Sequence, residues 1–188
     1  MGIKLITAPT TEPVSLSDAK EHLVISDSLH DDLITSAIKA AREWVEQYLG
    51  KCLINQTWEL ALDDFPEEIE LIKLPVSSID SIKYIDQDGA EQTITATNYG
   101  IDDYSPRHWV IPVSGYSWPV PLDSANAVKV RYVAGYGSAS DVPGPIVQAI
   151  KLLIGDFMEN RENTIVGVSV SSTRTVEMLL APYRMLRL

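Results

Sequence analysis

A single cysteine, Cys52, stands among the 188 residues of the chain. One thiol cannot form an internal disulfide or supply a zinc site, so we expect Cys52 to be a small core residue just past the end of a helix rather than a reactive nucleophile. The sequence also lacks any apolar run of the roughly 18 residues that a membrane span needs. Its first residues include no long apolar stretch followed by a small-residue cleavage site. We therefore expect neither a membrane contact nor a secretion signal.

Positive charge is also scarce. The chain has 15 lysines and arginines against 26 aspartates and glutamates, for a net charge of −11. Because binding of nucleic acid through its phosphates needs clustered basic residues, this composition argues against a DNA-binding protein. The distribution is uneven, since Arg161 to Leu188 contains four arginines and only two glutamates. This tail differs electrostatically from the acidic remainder and indicates a separate contact surface.

Catalytic signatures are missing as well. No GxSxG, HExxH or P-loop pattern occurs, so no nucleophile, metal pair or phosphate cradle is indicated. Closely spaced carboxylates could serve a hydrolase or a calcium site, but they fall in predicted loops and turns, where carboxylates are commonly solvated, and none has EF-hand spacing. We expect no enzyme, no bound metal and no cofactor. The carboxylates concerned are Asp63, Asp64, Glu67, Glu68, Asp86, Asp88, Asp102 and Asp103.

What the chain does contain is a strong helical pattern from Asp27 to Gly50. Its apolar residues recur with a period of 3.6 and form one broad stripe. Asp27 or Ser28 is expected to cap the first turn, and Gly50 to end the helix in a left-handed conformation. The stripe consists of Leu29, Leu33, Ile34, Ala37, Ile38, Ala41, Trp44, Val45, Tyr48 and Leu49; the opposite face carries Asp32, Lys39, Arg42, Glu43, Glu46 and Gln47.

A second long amphipathic helix is predicted from about Pro145, a residue that suits a first helical turn. Gly155 lies within this helix and could allow a close helix contact. Shorter helices are predicted at 15–23, where Ser15 is the cap, and at 175–181. We expect the two long helices to share one buried region. Its members are Leu33, Ile34, Ala37, Trp44, Val45, Ile146, Ile150, Leu153 and Phe157.

The pattern changes to strands between the long helices. Apolar and polar residues alternate from Asn55 to Leu62 and again from Ala127 to Gly135, and Gln87 to Ala90 has the composition of a hairpin turn. Residues 1–14 are expected to be extended. These observations predict an α+β fold, in which a helical core of two long amphipathic helices plus short terminal helices carries an antiparallel β insertion between the long helices. The predicted division is 1–54 and 137–188 for the helical core and tail, with 55–136 for the insertion.

Three aromatic residues lie in or beside predicted loops. Trp109, Tyr116 and Trp118 could stack on sugars or bases. The net charge makes the nucleic-acid version weak, whereas a carbohydrate-binding or other non-catalytic interaction module stays open as an alternative. Packing of these rings beneath their own loop is the favoured interpretation. A hydrolase that uses the loop carboxylates is the least favoured alternative.

Four passages in this order resemble the head–tail connector (head-completion adaptor) proteins of long-tailed bacteriophages, in the larger version with a β insertion. EPVSLSDAKEHL begins at Glu12 and AREWVEQYLGKCLINQTWEL at Ala41. VRYVAGYG begins at Val130, followed by VPGPI from Val142, and LLAPYR begins at Leu179. Each passage alone is a packing or turn pattern, but the set spans essentially the whole chain and is specific in this order.

The resemblance implies a structural protein of a phage or prophage virion, made in the bacterial host cytoplasm and located at the head–tail junction. It implies a homo-oligomeric ring, twelve-fold in the virion, that docks under the portal protein and provides a platform for the next head-completion or tail protein. DNA would pass through the ring without specific binding, which suits an acidic body. No catalytic residue is implied.

The tail supplies the candidate contact residues. We expect residues 174–188 to dock on a neighbouring subunit or on the portal, because the segment combines cations with apolar side chains that a free tail would leave exposed. The candidates are Arg174, Arg184, Met185, Leu186, Arg187 and Leu188.

Overall fold

The structure is a computed structural model, and it describes residues 1–159 and 172–185. Strands and helices follow one another in the order β1 (Gly2–Thr7), α1 (Leu16–Leu23), α2 (Asp31–Leu49), β2 (Gln56–Leu62), β3 (Ile69–Leu71), β4 (Val76–Ile85), β5 (Glu91–Ile94), β6 (Tyr99–Asp102), β7 (His108–Pro112), β8 (Val128–Ala134), α3 (Gly144–Glu159) and α4 (Ser172–Leu180). Short 3-10 helices span Ala96–Asn98, Ala139–Asp141 and Ala181–Tyr183.

The chain divides into two compact units. The β unit combines Met1–Pro9 with Asn55–Tyr136, and the helical unit combines Thr10–Ile54 with Gly137–Leu188. Each unit has its own buried apolar residues. The division at residues 54 and 136 into separate domains stays a prediction, since compactness alone does not show which segments fold independently.

Two antiparallel sheets build the β unit. The five-stranded sheet has the order β1-β2-β8-β4-β5, and the three-stranded sheet has the order β3-β7-β6. In the larger sheet, Leu60 lies opposite Val130, and Val130 lies opposite Ile82. These three side chains are fully buried, so one face of this sheet is apolar. Because strand side chains alternate between faces, the residues between them form the opposite, charged face.

The predicted fold class is wrong in its organisation. The β part is not an insertion into a helical core, because β1 from before the helices pairs with β2 and completes the five-stranded sheet. The two long helices α2 and α3 do pack directly on each other, but the two sheets form a compact unit of their own. The prolines in residues 1–14 predict an extended segment, but they do not identify the strand with which it pairs.

The helical unit follows the predicted pattern closely except at the start of α2. Gly50 ends α2 with φ of 70° and Ser15 caps α1, as predicted. The cap prediction for Asp27 or Ser28 is wrong, because α2 begins at Asp31 and its N-cap residue, His30, makes no side-chain capping bond. Asp27 instead accepts a hydrogen bond from the backbone N–H of Leu29 at 2.9 Å. The Asp27 side chain therefore forms a short Asx turn in place of a helix cap.

Six of the nine residues predicted to be buried together are buried in the helical unit. They are Ile34, Ala37, Val45, Ile146, Ile150 and Leu153. The prediction is wrong for Leu33 and Phe157, whose exposed fractions are 43% and 39%, and Trp44 is half-buried. A stripe with many members covers more of a helix than its neighbours can bury, so residues along its edges keep contact with solvent.

Candidate interaction site

The C-terminal segment begins with α4, which packs on α3. Val176 and Leu180 are four residues apart and therefore share one face of the helix. Both are buried in the helical unit. Pro182 follows immediately in the 3-10 helix, where it prevents α4 from continuing. The predicted short helix is present, and its apolar face belongs to the core of its own unit.

The chain after α4 is held at the C-terminal end of α2. The backbone N–H of Met185 donates to the carbonyl oxygen of Leu49 at 3.1 Å, which satisfies an acceptor that a helix end leaves free. The guanidinium of Arg184 lies 4.9 Å from the ring centroid of Tyr48. The ring of Tyr48 is itself stacked on Trp44, with centroids 5.2 Å apart and planes 9° apart. A cation over an aromatic face is stabilised by about 0.5–1 kcal/mol at an exposed site.

The outward face of α4 is the open part of this segment. Arg174 and Met178 are one turn apart on the side away from the buried residues, and Met178 is 71% exposed. Arg184 is exposed but already contacts Tyr48, and Met185 is half-buried. The remaining candidate residues, Leu186, Arg187 and Leu188, lie outside the described residues. The structure therefore brings Arg184 and Met185 together on α2 and places Arg174 on a separate, open helix face.

A buried ion cluster lies on α2 where an exposed polar face was expected. The side chain of Arg42 is only 6% exposed, so its assignment to the solvent-facing side is wrong. Its Nε donates to Glu12 at 2.7 Å, and its Nη1 donates to Glu46 at 2.7 Å. The other carboxylate oxygen of Glu46 accepts the backbone N–H of Leu53 at 2.8 Å. The cluster thereby holds two segments against α2. One contains Glu12 and precedes α1, and the other contains Leu53 and follows α2.

Sequence reasoning identified only the local half of this cluster. The spacing of Arg42 and Glu46 predicts an i,i+4 pair, but Glu12 is 30 residues away and no periodicity connects it to α2. The environment changes the arginine as expected for a paired group. Burial acts to lower the pKa of Arg42, but the charges and hydrogen bonds of Glu46 and Glu12 outweigh burial and raise this pKa overall.

The loop carboxylates act as local hydrogen-bond acceptors. Asp63 accepts the backbone N–H of Asn126 at 2.8 Å and so ties two loops of the β unit together. Asp86 accepts the backbone N–H groups of Asp88 and Ala90 and closes the predicted hairpin turn. Hydrogen bonds, the largest from the side chain of Gln92, hold the pKa of Asp86 below its ordinary value. Within residues 1–159 and 172–185, no three His, Cys, Asp or Glu side chains are grouped closely enough to hold a metal ion.

The aromatic loop packs on its own unit. The ring of Trp118 stacks on Phe65, with centroids 5.1 Å apart and planes 6° apart, and Tyr116 meets Trp118 edge-on at 6.1 Å. The indole N–H of Trp118 donates to the carbonyl oxygen of Glu67 at 3.1 Å. Trp109 belongs to β7 and lines, together with Phe65, an open cavity of about 580 Å³. Since Phe65 occupies one face of Trp118, the stack favours loop packing over recognition of a sugar.

Residues 13–101 match the family described as phage gp6-like head-tail connector protein, so the resemblance drawn from the sequence is confirmed. No curated protein matches the chain. No helix in the described part of the chain has the length and apolar character to cross a membrane.

The fold is also similar to chains in solved particles. One belongs to the neck of an empty GTA particle computed with C6 symmetry, and another to the virion of a native gene transfer agent (GTA) particle; each has a TM-score of 0.82. A third belongs to the neck of a native GTA particle computed with C12 symmetry, with a TM-score of 0.79. In all three, identity is 22%, and the similarity covers 100% of this chain and 97% of the other. At this identity the likeness shows the fold.

Proposed function

We propose that the whole chain is a structural protein of the virion at the head–tail junction, because residues 13–101 match the phage gp6-like head-tail connector family. The family match is the observation that carries the proposal. The fold similarity extends it beyond residue 101, because it covers the entire chain. The contribution of such a protein is assembly and not turnover, so its functional residues are contact residues.

We propose further that copies of the chain form a closed ring, twelve-fold in the virion, beneath the portal protein. A ring requires heterologous contacts, in which two different surfaces of one subunit meet those of its neighbours. Exposed apolar side chains on separate elements support such contacts. They include Val24, Leu29, Leu33, Phe157 and Met178. The symmetric neck particles with similar chains provide a precedent for such an assembly.

The charge of the chain supports a passive channel. With a net charge of −11, a ring would surround DNA with a predominantly repulsive field. DNA would therefore slide through without specific binding. The partners are the portal on one side and the next head-completion or tail protein on the other. We propose no catalytic role and no cofactor; Asp63 and Asp86 accept backbone hydrogen bonds within the β unit.

The tail is the proposed docking element for a neighbouring subunit or the portal. Arg174 and Met178 offer a cation and an apolar side chain on one open helix face. Arg184 and Met185 lie at the end of α2, and the sequence continues from them with Leu186, Arg187 and Leu188. Apolar anchors are expected to hold the contact, and the arginines to steer its formation.

Electron microscopy of the purified chain, alone and added to portal-bearing heads that lack it, tests this function. We expect ring-shaped particles and a completed head–tail junction. The variant Arg174→Glu/Met178→Glu should bind these heads more weakly, while Lys39→Glu, a reversal on α2, should bind normally. Truncation before α4 is unsuitable because it removes the buried residues Val176 and Leu180. Heads that mature equally well without the chain would contradict the function.

A further inference from the structure

The charged face of the five-stranded sheet carries an excess of cations. Two cross-strand rows define it: Lys4, Glu59, Arg131 and Ser81 in one row, and Ala61, Lys129, Lys83 and Thr93 in the next. Glu91 of β5 joins them, because its carboxylate lies 2.7 Å from the Nζ of Lys83. This face therefore holds four cations and two carboxylates in a chain whose net charge is −11.

The two carboxylates are already engaged. Glu59 pairs with Arg131 through contacts of 2.7 and 3.2 Å, and Glu91 pairs with Lys83. The pKa of Glu91 is held below its ordinary value, first by the hydrogen bond and charge of Lys83 and then by the charges of Lys129 and Arg131. The register places these cations together, because Lys83 lies directly opposite Lys129, and Arg131 follows Lys129 on the same face of β8.

Lys129 has the least favourable cross-strand neighbours on this face. Its direct cross-strand neighbours are Ala61 on one side and Lys83 on the other. Like charges that lie directly opposite in a sheet are destabilising. Lys83 has Glu91 as an ion-pair partner at 2.7 Å, and the charge of Lys129 also acts on Glu91. One carboxylate therefore serves two opposed lysines, which leaves this part of the face with a net positive charge. Such an arrangement departs from the local rule of sheet stability.

We propose that this charged face is the surface through which the β unit of one copy contacts an acidic surface of a second copy. The inference rests on the proposed ring. A positively charged surface favours an acidic partner. In a homo-oligomer the neighbouring copy is such a partner, since each copy has a net charge of −11. Its most acidic exposed stretch is the loop from Asp63 to Glu68, which contains four carboxylates and no cation. The loop contains none of the residues of the two cross-strand rows, and a heterologous contact joins two different sets of residues of one subunit.

Lys129→Glu tests the contact without harming the fold. The substitution places a carboxylate opposite Lys83, so the like-charge pair becomes an opposite-charge pair and the melting temperature should stay the same or rise. Ring formation should nevertheless weaken about tenfold at low salt, and the difference should shrink in high salt. Differential scanning calorimetry measures the melting temperature, and analytical ultracentrifugation measures ring formation. Lys39→Glu makes the same change on α2 and should assemble normally.

Rescue identifies the partner surface. Adding Glu67→Lys and Glu68→Lys to Lys129→Glu reverses both sides of the contact and should restore assembly. A ring that is insensitive to Lys129→Glu overturns this contact alone, whereas a wild-type chain that forms no ring, free or on heads, overturns the ring and the contact together. An unchanged ring with lower affinity for duplex DNA would assign the face to phosphates instead and would also overturn the proposal.

Discussion

Arg42→Met is the substitution whose consequence follows most directly from the structure. Methionine retains an apolar stem of similar length, so the change removes the guanidinium while largely keeping the packing of α2. Glu12 and Glu46 would then lose a partner at 2.7 Å each, and their side chains are 30% and 15% exposed. Each lost charge-assisted bond costs about 1.5–3 kcal/mol, and partial exposure of the carboxylates favours the lower end. We expect the free energy of unfolding to fall by about 3 kcal/mol, which is near the lower limit for breaking a buried pair.

Urea unfolding and calorimetry measure this loss. For a chain of this length, about 3 kcal/mol corresponds to a melting temperature lower by roughly 6–12 °C. Glu43→Gln is the matched control, because Glu43 is 57% exposed and lies 3.5 Å from the same guanidinium. This control should change stability by no more than about 0.5 kcal/mol.

Replacing all three charges separates pairing from packing. Arg42→Met combined with Glu12→Gln and Glu46→Gln leaves no buried charge unpaired, and the amide oxygen introduced at position 46 can still accept the backbone N–H of Leu53. The triple variant should therefore be more stable than Arg42→Met alone. A loss below about 1 kcal/mol in Arg42→Met, or a triple variant less stable than it, would refute the reasoning.

Other predictions follow from burial, helix propensity and pKa. Ile150→Ala removes a fully buried side chain and should lower the free energy of unfolding by about 2–5 kcal/mol, whereas Phe157→Ala, at a 39% exposed residue, should cost less; equal losses would contradict the burial assignment. Gly155→Ala should stabilise the monomer by about 0.5–1 kcal/mol in the same urea titration, because a Cβ there meets no atom within 4 Å; a lower midpoint would contradict that open space. Hydrogen bonds from Ser138 lower the pKa of Asp141 below its ordinary value of 3.8, so its stabilisation is present above that value and is lost as pH falls through the lowered pKa. Asp141→Asn should flatten the dependence of the urea midpoint on pH below 3.8, and an unchanged slope would contradict this assignment.

Local patterns predicted the individual elements well. Alternation located β2 and β8, and Gly50 was recognised because its left-handed conformation is a local backbone property. Tertiary partners were not predictable in the same way. Nothing near β1 indicates that it pairs with β2 across about 50 residues, and nothing near Arg42 indicates that Glu12 will reach it. Those partners are selected by the packing of the whole unit.

The same distinction between local patterns and tertiary partners applies to the candidate site. The basic and apolar composition of the tail drew attention to Arg174 and Arg184, but composition could not reveal that Arg184 already lies over Tyr48. The charged face was missed entirely, because Lys4, Lys83 and Lys129 come from three strands that are distant in sequence. Only the register of the sheet brings such residues together, and register depends on long-range pairing.

The position of β8 has a consequence for how the chain is made. β8 lies between β2 and β4 in the sheet, although it follows both in sequence. During synthesis, β2 and β4 therefore emerge without their shared partner, and the sheet cannot close until Ala134 has left the ribosome. The helical unit is completed later still, because α3 is synthesised only from Gly144 onward. Both units are thus completed late, so protection of the nascent chain against premature strand pairing matters over most of its length.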